Sequence, residues 1–110
     1  KDTHTGFCEF SRRAGDYAIA MAVATYRLKN GIMSDMRIGV GGTEASPRRI
    51  IEAERTLIGR PPNLGTFQAA AHAAVKVVDP LEDDTVSADY RLGIMRTMIV
   101  RALEKAGGES

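Results

Sequence analysis

The segment from Tyr17 to Leu28 constrains the fold more than any other part of this chain, because it is largely apolar and alternates large with small side chains. Its large members are Ile19, Met21 and Val23, and alanines stand between them. A period of two is typical of a β-strand, and apolar residues at both sets of positions predict a strand buried on both faces. The alanine side would allow a helix to lie close against the sheet.

A tight turn is predicted directly after this segment. Asn30 and Gly31 follow it, and the next residues alternate again, with Met36, Ile38 and Val40 separated by an arginine and a glycine. Alanine favours helices, but Asn-Gly tolerates positive φ at both central positions of a two-residue turn. The two segments therefore predict a β-hairpin.

The residues from Ser46 to Gly59 allow two interpretations. Ser46 and Pro47 are a suitable N-cap and first residue for a short helix that ends at Gly59. The residues from Pro47 to Ile50 would equally suit a third extended segment, and the pattern does not separate the two possibilities. The consecutive prolines Pro61 and Pro62 end whichever element precedes them.

Two further helices are predicted in the second half of the chain. Between Thr66 and Val78 apolar residues recur at three and four, and His72 falls on the opposite, solvent-facing side. Ser87 caps a final helix that ends at Gly107. Its apolar stripe consists of Ile94, Met95, Met98, Ile99, Leu103 and Ala106.

The order of these elements, strands first and helices after, predicts an α+β fold. We expect a small antiparallel sheet of about three strands, packed on one face by about three helices. The 110 residues, 44% of them hydrophobic and 26% charged, predict one soluble domain spanning residues 1–110.

Charge and cysteine content exclude several classes of protein. A formal net charge of +1 gives no field that would collect nucleic acid or anionic lipid. Cys8 is the only cysteine, which excludes an internal disulfide and predicts a cytoplasmic protein. No apolar run approaches the roughly 20 residues of a membrane span. Because the chain begins at Lys1 without the pattern of a signal peptide, we interpret it as an excerpt of a longer polypeptide.

Several isolated motifs do not assemble into a chemical site. The glycines from Gly39 to Gly42 lack the third glycine of a dinucleotide fingerprint and the lysine of a P-loop, which predicts tight backbone packing instead. Cys8, His4 and His72 lack the paired spacing of a zinc site, and His4 is expected in a loose terminus. The acidic residues from Glu82 to Asp84 are typical of a solvated loop. Without a complete set of acid, base and nucleophile, the chain alone is not expected to be catalytic.

Arginines on the final helix are also considered, because they recur every five residues at Arg91, Arg96 and Arg101. That spacing distributes them around the helix and does not form a phosphate-binding stripe. Arg91, beside Tyr90, is expected to make an internal ion pair or a subunit contact.

The remaining candidate is a polar corner between Glu9 and Tyr17 that contains Arg12-Arg13-Ala14-Gly15-Asp16. Arginine holds planar or anionic groups through a rigid fork of donors, and glycine lets a backbone approach an aromatic ring closely. A strand that begins with solvated arginines would have the same composition, so the residues alone leave both interpretations open.

Three segments, taken in order, resemble one known family. They are residues 9–20, residues 39–48 from Gly39-Val40-Gly41-Gly42 to Arg48, and Ser87-Ala88-Asp89-Tyr90-Arg91. Together they resemble the C-terminal domain of the FAD-binding (medium) subunit of molybdenum hydroxylases, the carbon monoxide dehydrogenase and xanthine dehydrogenase family. The resemblance extends from about Gly6 to Ala106.

The resemblance implies a role in electron transfer. In that family a molybdopterin large subunit hydroxylates the substrate, a small subunit with [2Fe-2S] clusters relays electrons, and the flavin subunit passes them to an external acceptor. FAD is held mainly by the preceding domain, and the C-terminal domain packs over it. Carried over by position, Arg13, Gly15, Asp16 and Tyr17 are the cofactor-binding candidates, with the role of shaping and polarising the surroundings of the flavin. The alternative is a purely structural module for subunit assembly, without direct flavin contact.

Overall fold

A four-stranded antiparallel sheet forms one layer of the protein. The computed structural model describes residues 3–10, 20–44, 47–80 and 87–107. The strands are β1 (Thr3–Phe10), β2 (Ala20–Lys29), β3 (Ile32–Gly41) and β4 (Arg48–Arg49), and they lie side by side in chain order. With the three helices described below, this confirms the predicted α+β fold, and the sheet has one strand more than expected.

The predicted hairpin connects β2 to β3. Asn30 has φ 56° and Gly31 has φ 81°, the left-handed conformations that a two-residue turn of this kind needs. Lys29 and Ile32, on either side of the turn, are register partners. The hairpin prediction is therefore confirmed.

Among the described residues, strand β2 is buried on one face only, so the prediction of burial on both faces is wrong for this chain by itself. Its alanines and Tyr26 are fully buried, whereas Val23, pointing the other way, is 40% exposed. The reason is that the helices that contact β2 and its neighbours all lie on the alanine side. Residues 17–19, where the strand was predicted to begin, lie outside the described residues.

Strand β1 was not predicted, and the expectation of a loose terminus around His4 is wrong. The His4 ring stacks on the buried Tyr26 ring, with centroids 5.4 Å apart and planes 21° from parallel. Cys8 is also on the inner face, and its thiol lies 3.4 Å from the sulfur of Met98. These contacts join β1 to strand β2 and to the last helix.

The first helix, α1, is Ile51–Leu57, so the prediction that a helix begins at Ser46 and Pro47 is wrong. Arg48 and Arg49 instead pair with β3 as strand β4, which confirms the extended alternative. The preference of Pro47 for a helix start is overridden because the free edge of β3 supplies backbone partners for an extended segment.

The second and third helices are α2 (Leu64–Val77) and α3 (Ala88–Ala106). Asn63 caps α2 by accepting from the Thr66 backbone N–H at 2.9 Å, and the Ser87 hydroxyl accepts from the Tyr90 N–H at 3.1 Å, as expected for the cap of α3. His72 is solvent-exposed on α2, as predicted. None of the described helices is long and apolar enough to cross a membrane.

Helix α3 packs directly on β1 and β2 because small residues line the contact. A Cβ at Gly6 would overlap the Ala102 carbonyl oxygen and lie 2.5 Å from the Ala106 backbone nitrogen. The buried residues of α3 include most of its predicted stripe: Met95, Met98, Ile99, Leu103 and Ala106. The core therefore lies between the sheet and a single helix layer, which leaves the opposite side of the sheet without a covering element among the described residues.

Candidate functional site

The polar corner predicted as the flavin contact connects β1 to β2. Its candidate residues, Arg13, Gly15, Asp16 and Tyr17, lie outside the described residues. The residues that flank this connection, Phe10 and Ala20, are register partners in the sheet. The corner therefore starts and finishes at one end of the β1–β2 pair, the end opposite the Asn-Gly turn.

The outer face of the sheet is organised in cross-strand rows. Phe7, Val23 and Gly39 are partners in one row, and β4 extends that row with Arg49. The next row, towards the corner, consists of Glu9, Met21 and Gly41. We call the five residues that make the apolar centre of these rows the outer patch: Phe7, Met21, Val23, Gly39 and Gly41.

A cleft of about 430 Å³ lies over the outer patch. Neighbouring side chains occupy the space beside its two glycines. A Cβ at Gly41 would lie 3.1 Å from Cγ of Met21, and one at Gly39 would lie 3.4 Å from Cγ1 of Val23. The prediction of tight packing is confirmed at Gly41, whereas the contact at Gly39 is an ordinary one.

A buried carboxylate holds the β4 edge of the cleft. Glu54, only 4% exposed, accepts from the Ile38 backbone N–H at 2.8 Å and from two nitrogens of Arg49 at 2.7 and 2.8 Å. The hydrogen bond to Glu54 raises the pKa of Arg49 above its ordinary value. The sequence analysis did not identify this pair. The sequence does contain an indication of the pair, because a carboxylate at a core position of a helix follows shortly after two arginines.

A second arginine fastens the sheet to α2. Arg48 donates to the Glu44 carboxylate and to the Val77 carbonyl, both at 3.0 Å. Glu44 also accepts from the Asp79 backbone N–H at 2.8 Å. These contacts fix the end of α2 against the residues that follow β3.

Arg91 makes an internal contact, as one of the two expectations for it proposed. It is buried on α3, and its Nη1 donates to the Gly42 carbonyl at 2.9 Å. Gly42 has φ 79°, and this contact ties its carbonyl to the last helix. The backbone after β3 is thus held by a contact from the helix layer.

The helix layer carries a second cleft, of about 470 Å³, between α2 and α3. His72, Arg96 and Arg101 are among its exposed polar lining residues, together with Glu104. Within the described ranges, no three histidine, cysteine or carboxylate side chains come close enough to hold a metal ion. The acidic residues from Glu82 to Asp84, predicted as a solvated loop, lie outside the described residues.

The sheet and its surroundings define a class of protein. One side of the sheet is covered by helices, and the other presents an apolar patch between charged residues. The described residues supply no cluster of metal-ligating side chains. They form a two-layer α+β domain whose sheet has one uncovered face among the described residues.

The particular family follows from comparison with known proteins. The family model for the CO dehydrogenase flavoprotein C-terminal domain matches residues 5–106, and the chain belongs to this family. This confirms the family resemblance of the three sequence segments.

Relatives with names are similar over most of this chain. The chain is 45% identical over 101 residues to the 6-hydroxypseudooxynicotine dehydrogenase complex subunit alpha of Paenarthrobacter nicotinovorans, covering 91% of this chain and 34% of that protein. It is 32% identical to the xanthine dehydrogenase FAD-binding subunit of Escherichia coli, covering 96% of this chain and 39% of that protein. The chain thus spans between a third and two fifths of these relatives.

A solved structure shares the fold. The carbon monoxide dehydrogenase of Hydrogenophaga pseudoflava superposes with a TM-score of 0.90 at 31% sequence identity, covering 97% of this chain and 37% of that one. The superposition thus covers nearly the whole of this chain.

Proposed function

We propose that this chain is the C-terminal domain of a flavoprotein subunit of a molybdenum hydroxylase, and that it packs over an FAD held mainly by a preceding domain. The observation that carries this proposal is the family match over residues 5–106. In the full subunit, electrons from [2Fe-2S] clusters of a small subunit reach the flavin and pass to an external acceptor. The molybdopterin large subunit performs the hydroxylation.

The described residues support a covering role. The glycines at the end of β3 lie beside Met21 and Val23, and the carbonyl of Gly42, directly after β3, accepts from Arg91. Their sequence matches neither a dinucleotide fingerprint nor a P-loop, so the main hold on FAD is assigned to the part of the subunit outside this chain. When bound, FAD supplies the redox chemistry, and the protein supplies orientation and electrostatics.

Within this chain, the proposed flavin contacts are Arg13, Gly15, Asp16 and Tyr17. The charges of Arg13 and Asp16 would polarise the surroundings of the flavin, and Gly15 would permit close approach of the backbone. Support comes from the residues that flank their connection: Phe10 and Ala20 are paired in the sheet, and the next residue, Met21, belongs to the outer patch.

The test uses the intact complex with Arg13→Gln and Asp16→Asn. We expect the flavin midpoint potential to shift by about 30 mV or more, which corresponds to about 1.4 kcal/mol for a two-electron couple. Assembly, measured by gel filtration, should be unchanged. The matched control is Arg27→Gln and Asp35→Asn, an exposed pair 3.4 Å apart near the other end of the hairpin, which should leave the potential unaltered.

The same measurement separates the second candidate function, a structural assembly module. The uncovered outer face is the observation that favours it. If the corner variants lose their partner subunits while the flavin potential stays constant, the residues hold the complex together and do not tune the flavin. A colourless full-length subunit would contradict the proposed function in both forms.

A further inference from the structure

The outer patch is too apolar for a sheet face exposed to water. Phe7 is 50% exposed and Val23 is 40% exposed, and they are direct cross-strand partners at the centre of the face. In antiparallel sheets with one solvated face, that face normally carries polar side chains. An exposed apolar patch with a charged rim instead marks a surface for association.

The rim of the patch is polar and partly fixed. Arg37 is exposed at one side of the central row, and Glu9 lies in the row nearest the corner. Arg49, at the β4 side, is held by its two contacts with Glu54. A partner for this surface therefore needs apolar side chains at its centre and polar groups at its edge, among them an acidic group opposite Arg37.

Two observations identify the occupant. The chain spans only 34% and 39% of its flavoprotein relatives, so most of such a subunit lies outside it. The outer patch is also continuous with the corner assigned to the flavin, because Met21 follows directly on Ala20, which is paired with Phe10. A neighbour that brings FAD to the corner therefore also reaches the patch.

We propose that the outer patch is the docking surface for the FAD-bearing part of the same subunit, an inference that rests on the proposed function. Docking removes Phe7 and Val23 from water and sets the corner between β1 and β2 against the flavin. The patch thus determines the position of the domain, and the corner determines how the domain affects the flavin. Neither a second copy nor another subunit is needed to cover the face.

Cysteine labelling of the full-length flavoprotein subunit tests this assignment. Val23→Cys is compared with Ile51→Cys, because these two side chains have matched exposures of 40% and 39% in the structure. Leu64→Cys, on α2, is a second helix-side control. We expect a maleimide to modify the cysteine at position 23 at least about tenfold more slowly than either control, since labelling of a covered site waits for a local opening. Peptide mass spectrometry separates these sites from native cysteines.

A second measurement needs no substitution. Hydroxyl-radical oxidation of the unaltered subunit is read at Phe7 and at Tyr90, which are 50% and 46% exposed. We expect Phe7 to be protected and Tyr90 to react. This result does not depend on whether the cysteine variants fold.

The outcomes distinguish the possible occupants. Protection that is independent of protein concentration and present without other subunits supports docking within the subunit. Protection that increases with concentration indicates a second copy, and protection that appears only in the complex indicates a partner subunit; either result overturns the assignment. A yellow subunit with rapid labelling at Val23→Cys also overturns it and leaves the proposed function standing. A colourless subunit overturns the proposed function and, with it, the FAD-bearing occupant.

Discussion

At the scale of single residues, Tyr26 combines good packing with an unfavourable polar group. Its ring is fully buried and stacked on His4, yet its hydroxyl has no hydrogen-bond partner among the described residues. An unpartnered buried hydroxyl costs free energy because it loses its contacts with water. The same burial raises the pKa of Tyr26, since the phenolate is less stable away from water.

We therefore expect Tyr26→Phe to leave the free energy of unfolding at pH 7 unchanged or to raise it by up to about 1 kcal/mol. The pKa of Tyr26 is higher in the folded than in the unfolded chain. The wild type consequently keeps its full stability below a pH of about 10, the pKa of an unfolded tyrosine, and loses stability as the pH rises from there through the folded value. The phenylalanine variant should lack that loss.

Urea unfolding at neutral and alkaline pH measures both effects. Tyr90→Phe is the control, because this tyrosine is exposed and its substitution should change the free energy of unfolding little at either pH. A Tyr26→Phe variant less stable than the wild type at pH 7 by more than about 1 kcal/mol would show that the hydroxyl does have a stabilising partner.

At the scale of elements, the parts predicted from sequence are those specified locally. The Asn30-Gly31 turn and the Ser87 cap each need only a few adjacent residues, and both are present. Strand β4 depends on the free edge of β3, and β1 depends on pairing with β2, so neither is encoded in its own short pattern. The burial of Glu54 has the same origin, because its partners come from β3 and β4.

Glu54 joins α1 to two strands, and its substitution should disturb all three elements. Glu54→Gln keeps the size of the side chain but loses the charge and one of the acceptors for Arg49. We expect a loss of about 2 kcal/mol in the free energy of unfolding, a value reduced for solvent screening because Arg49 is half exposed. Chemical denaturation of the variant and the wild type in parallel measures the difference.

The matched control is Asp35→Asn, which removes the carboxylate from an exposed pair with Arg27. A change within about 0.5 kcal/mol is expected there, because exposed ion pairs stabilise weakly. Equal effects of the two substitutions would mean that the contacts of Glu54 are worth no more than a surface pair.

At the scale of the whole molecule, fold and function are connected by the difference between the two faces of the sheet, of which the helices cover only one among the described residues. The sequence predicted that a helix could lie against the alanine side of β2, and α3 packs there, where Gly6 and the alanines let it approach. It also predicted burial of the other side, but Val23 remains on the open side. The outer patch was therefore not predictable from the strand pattern, and the residues of the corner at Arg13 to Tyr17 were assigned to the flavin only through family resemblance.

The contact between the two layers makes a final prediction, because it is closest at Gly6. Gly6→Ala places a Cβ against the backbone at Ala102 and Ala106, and backbone cannot move aside as a flexible side chain does. We expect a loss of at least about 2 kcal/mol in the free energy of unfolding, since overpacking forces the helix away from the sheet. Thermal and urea unfolding measure this loss.

The same substitution at Gly93 is the control for Gly6→Ala. Gly93 lies within α3 and a Cβ there would meet nothing within 4 Å, so Gly93→Ala should stabilise the chain by about 0.5–1 kcal/mol through its helix propensity. If both variants were equally stable, α3 would have to be further from β1 than the structure places it. In that case the alanine side of the sheet would also be accessible, and the outer patch would no longer be the single uncovered face among the described residues. The opposite signs expected for these two glycines thus test the layer arrangement on which the docking surface depends.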